Sequence, residues 1–180
     1  MGLLRGIDFS ACKHRFVVQL HDAERAGRHF DLRLEAYDNE SKQCVLVSWA
    51  TRKLDQLMSS KVSRVGLFRT EDHELKWLTF KGEIRGGYGK GIVKILDKGQ
   101  FEVIEDKQDV LAVKFLGEVL SGSYAFVKLS NENFLLVKMK SQSEFNMAAS
   151  IYPYACLFCR RPQRLRRIRR VRRFRNEVNP

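Results

Sequence analysis

One short stretch, from His29 to Ala36, alternates polar side chains that can do chemistry with apolar side chains that can fill a core. Strict alternation is typical of a half-buried β-strand. Its polar members are His29, Asp31, Arg33 and Glu35. Same-face neighbours on a strand lie about 6.5–7 Å apart. An imidazole and a carboxylate could therefore bind one metal ion while a guanidinium contacts an anion bound to that ion.

A second histidine lies just upstream of this stretch. Phe16–Leu20 is predicted to be a strand, and the polar segment from His21 to Gly27 is predicted to be a turn or a single helical turn. If that segment folds back like a hairpin, His21 returns to the neighbourhood of His29 and Asp31. Two neutral imidazoles and a carboxylate suit manganese, iron, zinc or cobalt. We therefore predict a metal site formed by His21, His29 and Asp31.

Cations on this strand and on or beside other predicted strands indicate what such a site would act on. Together with one more histidine, they are Arg33, Lys53, Arg64, Arg69 and His73. Positive donors around a metal ion neutralise the charge that develops on the equatorial oxygens of a phosphoryl group. A pocket for oxygen chemistry has less need of them. The combination favours phosphoryl chemistry.

The net charge of the 180-residue chain is +12, but it is unevenly distributed. Residues 160–180 contain ten arginines and one acid, Glu177, which leaves about +3 for the rest. We predict a globular body over residues 1–142 and an Arg-rich extension over residues 143–180. The extension could be a cationic helix or a disordered arm that contacts phosphates, a nuclear-targeting signal, or a dispensable solvated tail.

The four cysteines are predicted to be free thiols of a reduced, intracellular protein. The first residues are too short and too charged for a secretory signal, and no apolar run approaches the length of a membrane span. Cys156 and Cys159 have the spacing of half a zinc knuckle but lack a second pair of ligands. We expect no membrane partner, a monomer, and a location in the cytoplasm or nucleoid, or in the nucleus of a eukaryote.

Short predicted strands recur about every ten residues, with little helix between them. This spacing predicts a mainly β fold with short helical segments, either an antiparallel β-barrel or a β-sandwich. Residues 97–100 are predicted to be a turn between two strands. The glycine cluster from Gly82 to Gly91 is interpreted as tight turns, bulges or close backbone approach, since a strand and not a helix follows it.

Several short motifs, in this order along residues 8–142, resemble the 3′-phosphoesterase domain that is attached to bacterial DNA ligase D and occurs alone in archaea. They are His21-Asp22-Ala23, His29-x-Asp31-x-Arg33-Leu34-Glu35, Ser48-Trp49-Ala50, Glu71-Asp72-His73, the glycine run from Phe80 to Gly91, and Leu116-Gly117-Glu118-x-Leu120-x-Gly122.

The resemblance implies a β-barrel metalloenzyme, Mn²⁺-dependent with Zn²⁺ or Co²⁺ as alternatives, that removes 3′-terminal ribonucleotides or 3′-phosphates from DNA. DNA or RNA-tailed DNA 3′ ends would be its substrates, and a DNA ligase and end-joining proteins its partners. His21, His29 and Asp31 would bind the metal. The scissile phosphate would be bound by Arg33, Lys53 and Arg64. His73 would stabilise the transition state or protonate the leaving group, and Gln19 would support the site.

This chain departs from the family pattern at three places, the first being Ile84-Arg85 where the family has Ile-Pro. Trp77 stands where the family has a tyrosine four residues after the histidine, and Val65 stands where it has an arginine, so that Arg64 would have to replace it. Two other functions stay open on the residues alone. One is a non-catalytic barrel that binds nucleic-acid ends. The other is a non-haem iron oxygenase. His29, Asp31 and a distal His73 follow the order of the metal ligands in such an enzyme.

Overall fold

The predicted strands close into a barrel in the computed structural model, which describes residues 2–139. The strands are β1 (Ile7–Asp8), β2 (Arg15–Ala23), β3 (Gly27–Asp38), β4 (Gln43–Thr51), β5 (Arg64–Arg69), β6 (Gly82–Ile84), β7 (Gly91–Lys107), β8 (Val110–Leu116), β9 (Ser121–Lys128) and β10 (Asn133–Lys138). The helical segments of the described chain are α1 (Leu54–Met58) and a 3₁₀ helix (Leu75–Leu78).

Eight of these strands form the closed barrel. Their order is β3-β2-β7-β8-β9-β10-β5-β4, and β4 pairs back with β3 to complete the circle. All the pairings are antiparallel, while β1 and β6 add to β3 and β7 outside the circle. The predicted antiparallel β-barrel is therefore confirmed.

The alternation from Phe30 to Ala36 separates two environments. Phe30, Leu32 and Leu34 point into the barrel and belong to the same buried core as Trp49. The polar residues between them lie on the outer face of the barrel. This face is not open to solvent, because the 3₁₀ helix covers it and Leu78 packs there on Val17 and Leu46. Charged side chains on β3 are consequently buried and must find polar partners.

The prediction of a turn at His21 is wrong. β2 continues through His21 to Ala23, and Ala23 pairs directly with Gly27 across a tight connection. Gly27 has a positive φ of 71°, which a residue without a Cβ adopts readily. Because the hairpin is this short, His21 lies directly opposite His29 on the neighbouring strand.

The prediction of a turn at residues 97–100 is also wrong, because β7 runs without interruption through them. The carboxylate of Asp97 is buried and accepts hydrogen bonds from the backbone N–H groups of Glu118, Val119 and Leu120. These long-range contacts outweigh the local turn propensity of Asp-Lys-Gly-Gln. By contrast, close backbone approach in the glycine cluster is confirmed at Gly91, where a Cβ would overlap the carbonyl oxygen of Asp22.

Cys12 and Cys44 form a disulfide, with Cα atoms 6.3 Å apart. The prediction of free thiols is therefore wrong for this pair, since β4 brings Cys44 next to the segment before β2. Cys156, Cys159 and the predicted boundary at residue 142 lie outside the described residues. No helix within residues 2–139 has the length and apolar character needed to cross a bilayer.

Candidate metal and phosphate site

The three residues predicted to bind metal converge on the outer face of the β2–β3 hairpin. Nδ1 of His21 lies 3.7 Å from Oδ2 of Asp31, and Nε2 of His29 lies 3.7 Å from Oδ1 of the same carboxylate. Potential ligand atoms of all three residues lie within 4.8 Å of one another. One ion placed among them would be contacted by two nitrogens and one oxygen, an arrangement that leaves coordination positions open for substrate.

The other ring nitrogen of each histidine contacts a backbone carbonyl. Nε2 of His21 lies 2.8 Å from the oxygen of Gly89, and Nδ1 of His29 lies 2.8 Å from the oxygen of Gly27. A proton donated to each carbonyl leaves a lone pair on the nitrogen that faces Asp31. Orientation of this kind is usual for metal-binding histidines. The donor set therefore fits a divalent transition metal.

Asp31 stays ionised although it is buried. Burial alone would raise the pKa of its carboxyl group, but contact with His21 and the positive charge of Arg33 bring that pKa below its usual value. The same carboxylate raises the pKa of His21, although their 3.7 Å separation is longer than a direct hydrogen bond. A negative charge is therefore available to a cation at this point.

Arg33 is buried and hydrogen-bonded in a way that fixes its orientation. Its guanidinium donates to Oε1 of Gln19 at 2.9 Å, to Oγ of Ser48 at 2.9 Å and to Oδ2 of Asp31 at 3.0 Å. Gln19 in turn donates from Nε2 to the carbonyl oxygens of Trp77 and Phe80, both at 2.9 Å. Gln19 thus connects the guanidinium to the segment that covers it, and the supporting role that the resemblance implies for it stays a prediction.

His73 is positioned by an extension of β5 along the edge of β4. The backbone N–H of His73 donates to the carbonyl of Leu46, and the N–H of Leu46 donates back to the carbonyl of His73. Nδ1 of His73 lies 2.9 Å from Nη1 of Arg33 and 2.8 Å from the carbonyl oxygen of Glu71. Burial and the charge of Arg33 lower the pKa of His73, so its ring is neutral at pH 7.

A proton on Nδ1 of His73 could be donated to the carbonyl oxygen of Glu71, but it would point at the N–H group of Arg33, which is also a donor. The guanidinium can only donate, and a hydrogen bond from a charged donor is the stronger of the two. We therefore assign the proton to Nε2. In this tautomer the histidine that lines the cavity carries a neutral hydrogen-bond donor.

The metal ligands, Arg33 and His73 all line one cavity of about 520 Å³. Lys53 and Arg64, also predicted to bind phosphate, are not among its lining residues. Lys53 is exposed and lines an adjoining cavity. Arg64 is exposed at the start of β5 and lines neither of these two cavities. Arg69 instead donates to the carbonyl of Ser48 and to Asp72, which holds the segment before His73.

Glu35, the last polar residue of the stretch, binds Arg15 and is not part of the cavity lining. Nε and Nη2 of Arg15 donate to its two carboxylate oxygens at 2.8 and 2.7 Å. Burial would raise the pKa of Glu35, but these hydrogen bonds lower it. Glu35 also lies close to the sulfur atoms of Cys12 and Cys44, a second group that could hold metal. Because those sulfurs are bonded to each other, that group offers no thiolate ligand in this state.

Reasoning from residue types did not select several cavity residues. Trp77 entered only through the resemblance, whereas Thr70, Tyr88 and the carbonyl of Gly89 had no assigned role. Ser48, which also entered through the resemblance, accepts a hydrogen bond from Arg33 but does not line the cavity. The ring of Trp77 lies 5.5 Å from the guanidinium carbon of Arg33 and meets His73 edge-on. Trp77 could be noticed in the sequence only as the residue that stands where the family has a tyrosine.

Comparison with known proteins identifies a family whose model matches this chain. The model of the DNA ligase D 3′-phosphoesterase domain matches residues 19–128. This range includes His21, His29, Asp31, Arg33 and His73. The match confirms the resemblance inferred from the motifs.

Individual relatives agree with the family match. The chain is 34% identical over 140 residues to the multifunctional non-homologous end joining protein LigD of Mycolicibacterium smegmatis. The matched region covers 71% of this chain and 17% of that protein. The chain is also 33% identical over 136 residues to LigD of Pseudomonas aeruginosa, covering 70% of this chain and 15% of that protein. The chain thus corresponds to about a sixth of the length of these relatives.

Proposed function

This chain belongs to the DNA ligase D 3′-phosphoesterase domain family, and we propose that it removes 3′-terminal ribonucleotides or 3′-phosphates from DNA ends in a metal-dependent reaction. The observation that carries this proposal is the convergence of His21, His29 and Asp31 with Arg33 and His73 on one cavity. Metal ligands, a fixed guanidinium and a neutral imidazole together match the needs of phosphoester hydrolysis.

His21, His29 and Asp31 would hold the metal, with Mn²⁺ as the first candidate and Zn²⁺ or Co²⁺ as alternatives. When bound, such an ion supplies Lewis-acid polarisation of a phosphate oxygen. The carbonyls of Gly27 and Gly89 keep the two imidazoles in the tautomers that ligation needs. These contacts support a prearranged ligand set.

Arg33 would bind a non-bridging oxygen of the scissile phosphate, because its orientation is already fixed by Gln19, Ser48 and Asp31. His73 would donate a hydrogen bond from Nε2 to oxygen that becomes more negative in the transition state. Its lowered pKa favours this role over protonation of the leaving group. Lys53, in the adjoining cavity, would contact a neighbouring phosphate of the strand, and Arg64 would contact more distant DNA only.

DNA ends and RNA-tailed DNA ends are the proposed substrates. The relatives are named for non-homologous end joining, so a DNA ligase and other end-joining proteins are the proposed partners. The proposed location is intracellular, where such ends are repaired. A monomer is sufficient for this activity, since all five site residues come from one chain.

A non-catalytic DNA-end-binding barrel is the second candidate, and Trp77 is the observation that favours it. Its indole replaces the family's phenolic hydroxyl above Arg33 and His73. The non-haem oxygenase is less compatible with the site, because Arg33 bonds directly to the ligand Asp31.

The decisive experiment incubates the purified chain with a primer-template carrying one 3′ ribonucleotide, and separately with one carrying a 3′-phosphate. Each is tested with Mn²⁺ and with a chelator. Metal-dependent shortening or dephosphorylation supports the proposed enzyme. Retained binding without end processing in Mn²⁺, Zn²⁺ and Co²⁺ would identify the non-catalytic barrel instead. Oxygen uptake that requires iron and an organic cosubstrate would favour the oxygenase.

A further inference from the structure

A second cavity adjoins the metal site, and beyond the phosphate contact proposed for Lys53 it has no assigned role. Its volume is about 740 Å³, within the range of ligand-binding clefts. Four residues line both cavities: Ala26, His29, Thr70 and Tyr88. One of these is a proposed metal ligand, so a strand whose phosphate lies at the metal site would continue directly into the second cavity.

The walls of this second cavity combine exposed apolar side chains with cations. Phe68, Tyr88 and Leu129 are 48%, 74% and 50% exposed, and they are three of the seven large apolar side chains exposed in residues 2–139. Exposed apolar groups gathered in one place usually mark a binding surface. Phe68 leaves β5 on the outer face, where its ring borders the cavity.

Arg52 and Lys53 supply the positive charge. Neither forms an ion pair within residues 2–139, and Arg52 donates only to the carbonyl of Ala26 at 3.1 Å. No aspartate or glutamate of the described chain lines this cavity. Aromatic surface beside unpaired cations is the combination by which proteins bind single nucleic-acid strands, with bases stacked on the rings and phosphates on the cations.

We propose that this second cavity binds the last nucleotide that stays on the DNA after cleavage, with its base stacked on Phe68 and its 5′ phosphate near Arg52 and Lys53. The inference rests on the proposed function for the position of the 3′ phosphate. The nucleotide on the 5′ side of that phosphate is common to both proposed substrates, so one subsite would serve both reactions.

Binding of the reaction product tests this subsite without any turnover. The full chain is titrated against a fluorescent primer-template whose 3′-OH terminal nucleotide is unpaired, and against the same DNA with an abasic terminal nucleotide, at about 0.2 M salt. Any contribution of the Arg-rich extension to DNA affinity would be the same for both DNAs and would cancel in the ratio. Since stacking contributes about 1–3 kcal/mol per base, we expect the intact end to bind about 5- to 150-fold more tightly.

Four variants determine whether Phe68 and the cavity cause that ratio. Phe68→Ala should bring the ratio close to one, and Phe68→Trp should keep it. Gly66→Val should also abolish it, because Gly66 lines the cavity, has no positive φ and has open space where a side chain would start. Leu116→Ala, at a residue 45% exposed and absent from the lining, is the matched control and should leave the ratio unchanged.

A wild-type ratio near one, or an unchanged ratio in Phe68→Ala, would overturn the proposal. Loss of self-association in Phe68→Ala, measured by sedimentation, with an unchanged ratio would show that the cavity is an interface between copies, and would also overturn it. The outcome is separate from that of the proposed function. A ratio that depends on the base, without end processing, would support the subsite and contradict the proposed enzyme. End processing without dependence on the base would support the enzyme and contradict the subsite.

Discussion

Nη2 of Arg33 donates a hydrogen bond of 3.0 Å to Oδ2 of Asp31, so the carboxylate that faces the two histidines also orients the guanidinium. The two residues are neighbours on the same face of β3 and both are buried. The proposed metal and phosphate subsites therefore share one anchor. A change in the charge of Asp31 must affect both.

Asp31→Asn removes the negative charge of this side chain and nearly preserves its shape. The amide oxygen can still accept the hydrogen bond of Arg33, but a neutral ligand binds a divalent cation weakly. Loss of a residue that only hydrogen-bonds to a metal ligand lowers metal affinity by about 10- to 100-fold. We expect Asp31→Asn, which changes a ligand itself, to lower Mn²⁺ affinity by more than this, as measured by calorimetry. End processing should be lost at the same Mn²⁺ concentration.

The matched control is Asp22→Asn, since Asp22 lies on the same hairpin, next to His21 but on the opposite, exposed side. It should leave both Mn²⁺ affinity and activity unchanged. Equal effects of the two substitutions would contradict a site-specific metal role for Asp31.

β3 shows how much of the site the sequence predicts. Alternation alone predicts which of its side chains are buried in the core and which carry chemistry, because a strand has period two. The partners of those side chains depend on register between distant strands. Ser48 lies beside Arg33 only because β4 pairs with β3 at that position, and Gly89 reaches His21 only because β6 and β7 pair.

The failed expectations have the same origin. Local composition predicts a turn at Asp97, yet three backbone N–H groups from a distant loop satisfy its carboxylate within a strand. The position of Lys53 likewise depends on where β4 ends: it lines the neighbouring cavity, and its contact with phosphate stays a prediction. Local sequence shows what residues can do, and long-range pairing decides which of them meet.

His73 should act as a neutral donor and not as an acid. His73→Ala should lower kcat by about 10²- to 10³-fold, the usual cost of a lost transition-state donor. His73→Gln should recover part of that loss, because its amide nitrogen can donate near the position of Nε2 but cannot release a proton. Single-turnover rates measure both, with Mn²⁺ affinity as the control that the metal site is intact.

The pH dependence gives an independent check on this role. The pKa of His73 is lowered, so an acid role would make the rate fall as pH rises through a value below the usual one for histidine. We expect no such decrease attributable to His73. A decrease in the wild-type profile that disappears in His73→Gln would show that the residue protonates the leaving group.

Glu35 should contribute to stability in a pH-dependent way. Its pKa is lowered in the folded chain, so its stabilisation is fully present above the unfolded-state pKa and is lost as pH falls through the folded-state value. Glu35→Gln should lower the free energy of unfolding by about 1–3 kcal/mol at pH 7. Urea unfolding between pH 7 and 3 should show a shallower acid dependence than in the wild type.

Glu102→Gln is the comparison, since Glu102 forms an exposed ion pair with Lys114 at 3.3 Å. An exposed pair contributes at most about 1 kcal/mol. A larger loss in Glu102→Gln than in Glu35→Gln would contradict the importance assigned to the buried carboxylate of Glu35.

The disulfide between Cys12 and Cys44 should stabilise the barrel by closing a loop with a sequence separation of 32 residues. Loop-closure entropy predicts a contribution of about 3–4 kcal/mol. Cys12→Ser should therefore lower the melting temperature, and reductant should lower that of the wild type by a similar amount. Reductant should have no further effect on Cys12→Ser. An unchanged melting temperature after reduction would show that this bond does not stabilise the fold.

The Arg-rich segment, residues 160–180, lies outside the described residues and is predicted to act on DNA affinity alone. Each phosphate contact contributes about 0.7–0.9 to the slope of log affinity against log salt. Deleting the segment should weaken DNA binding and flatten that slope, while kcat at saturating DNA stays the same, because all five site residues lie between His21 and His73. Binding measured from 50 to 300 mM salt provides the slope. An unchanged slope would show that the segment makes no phosphate contacts, and a large fall in kcat would place part of it at the active site.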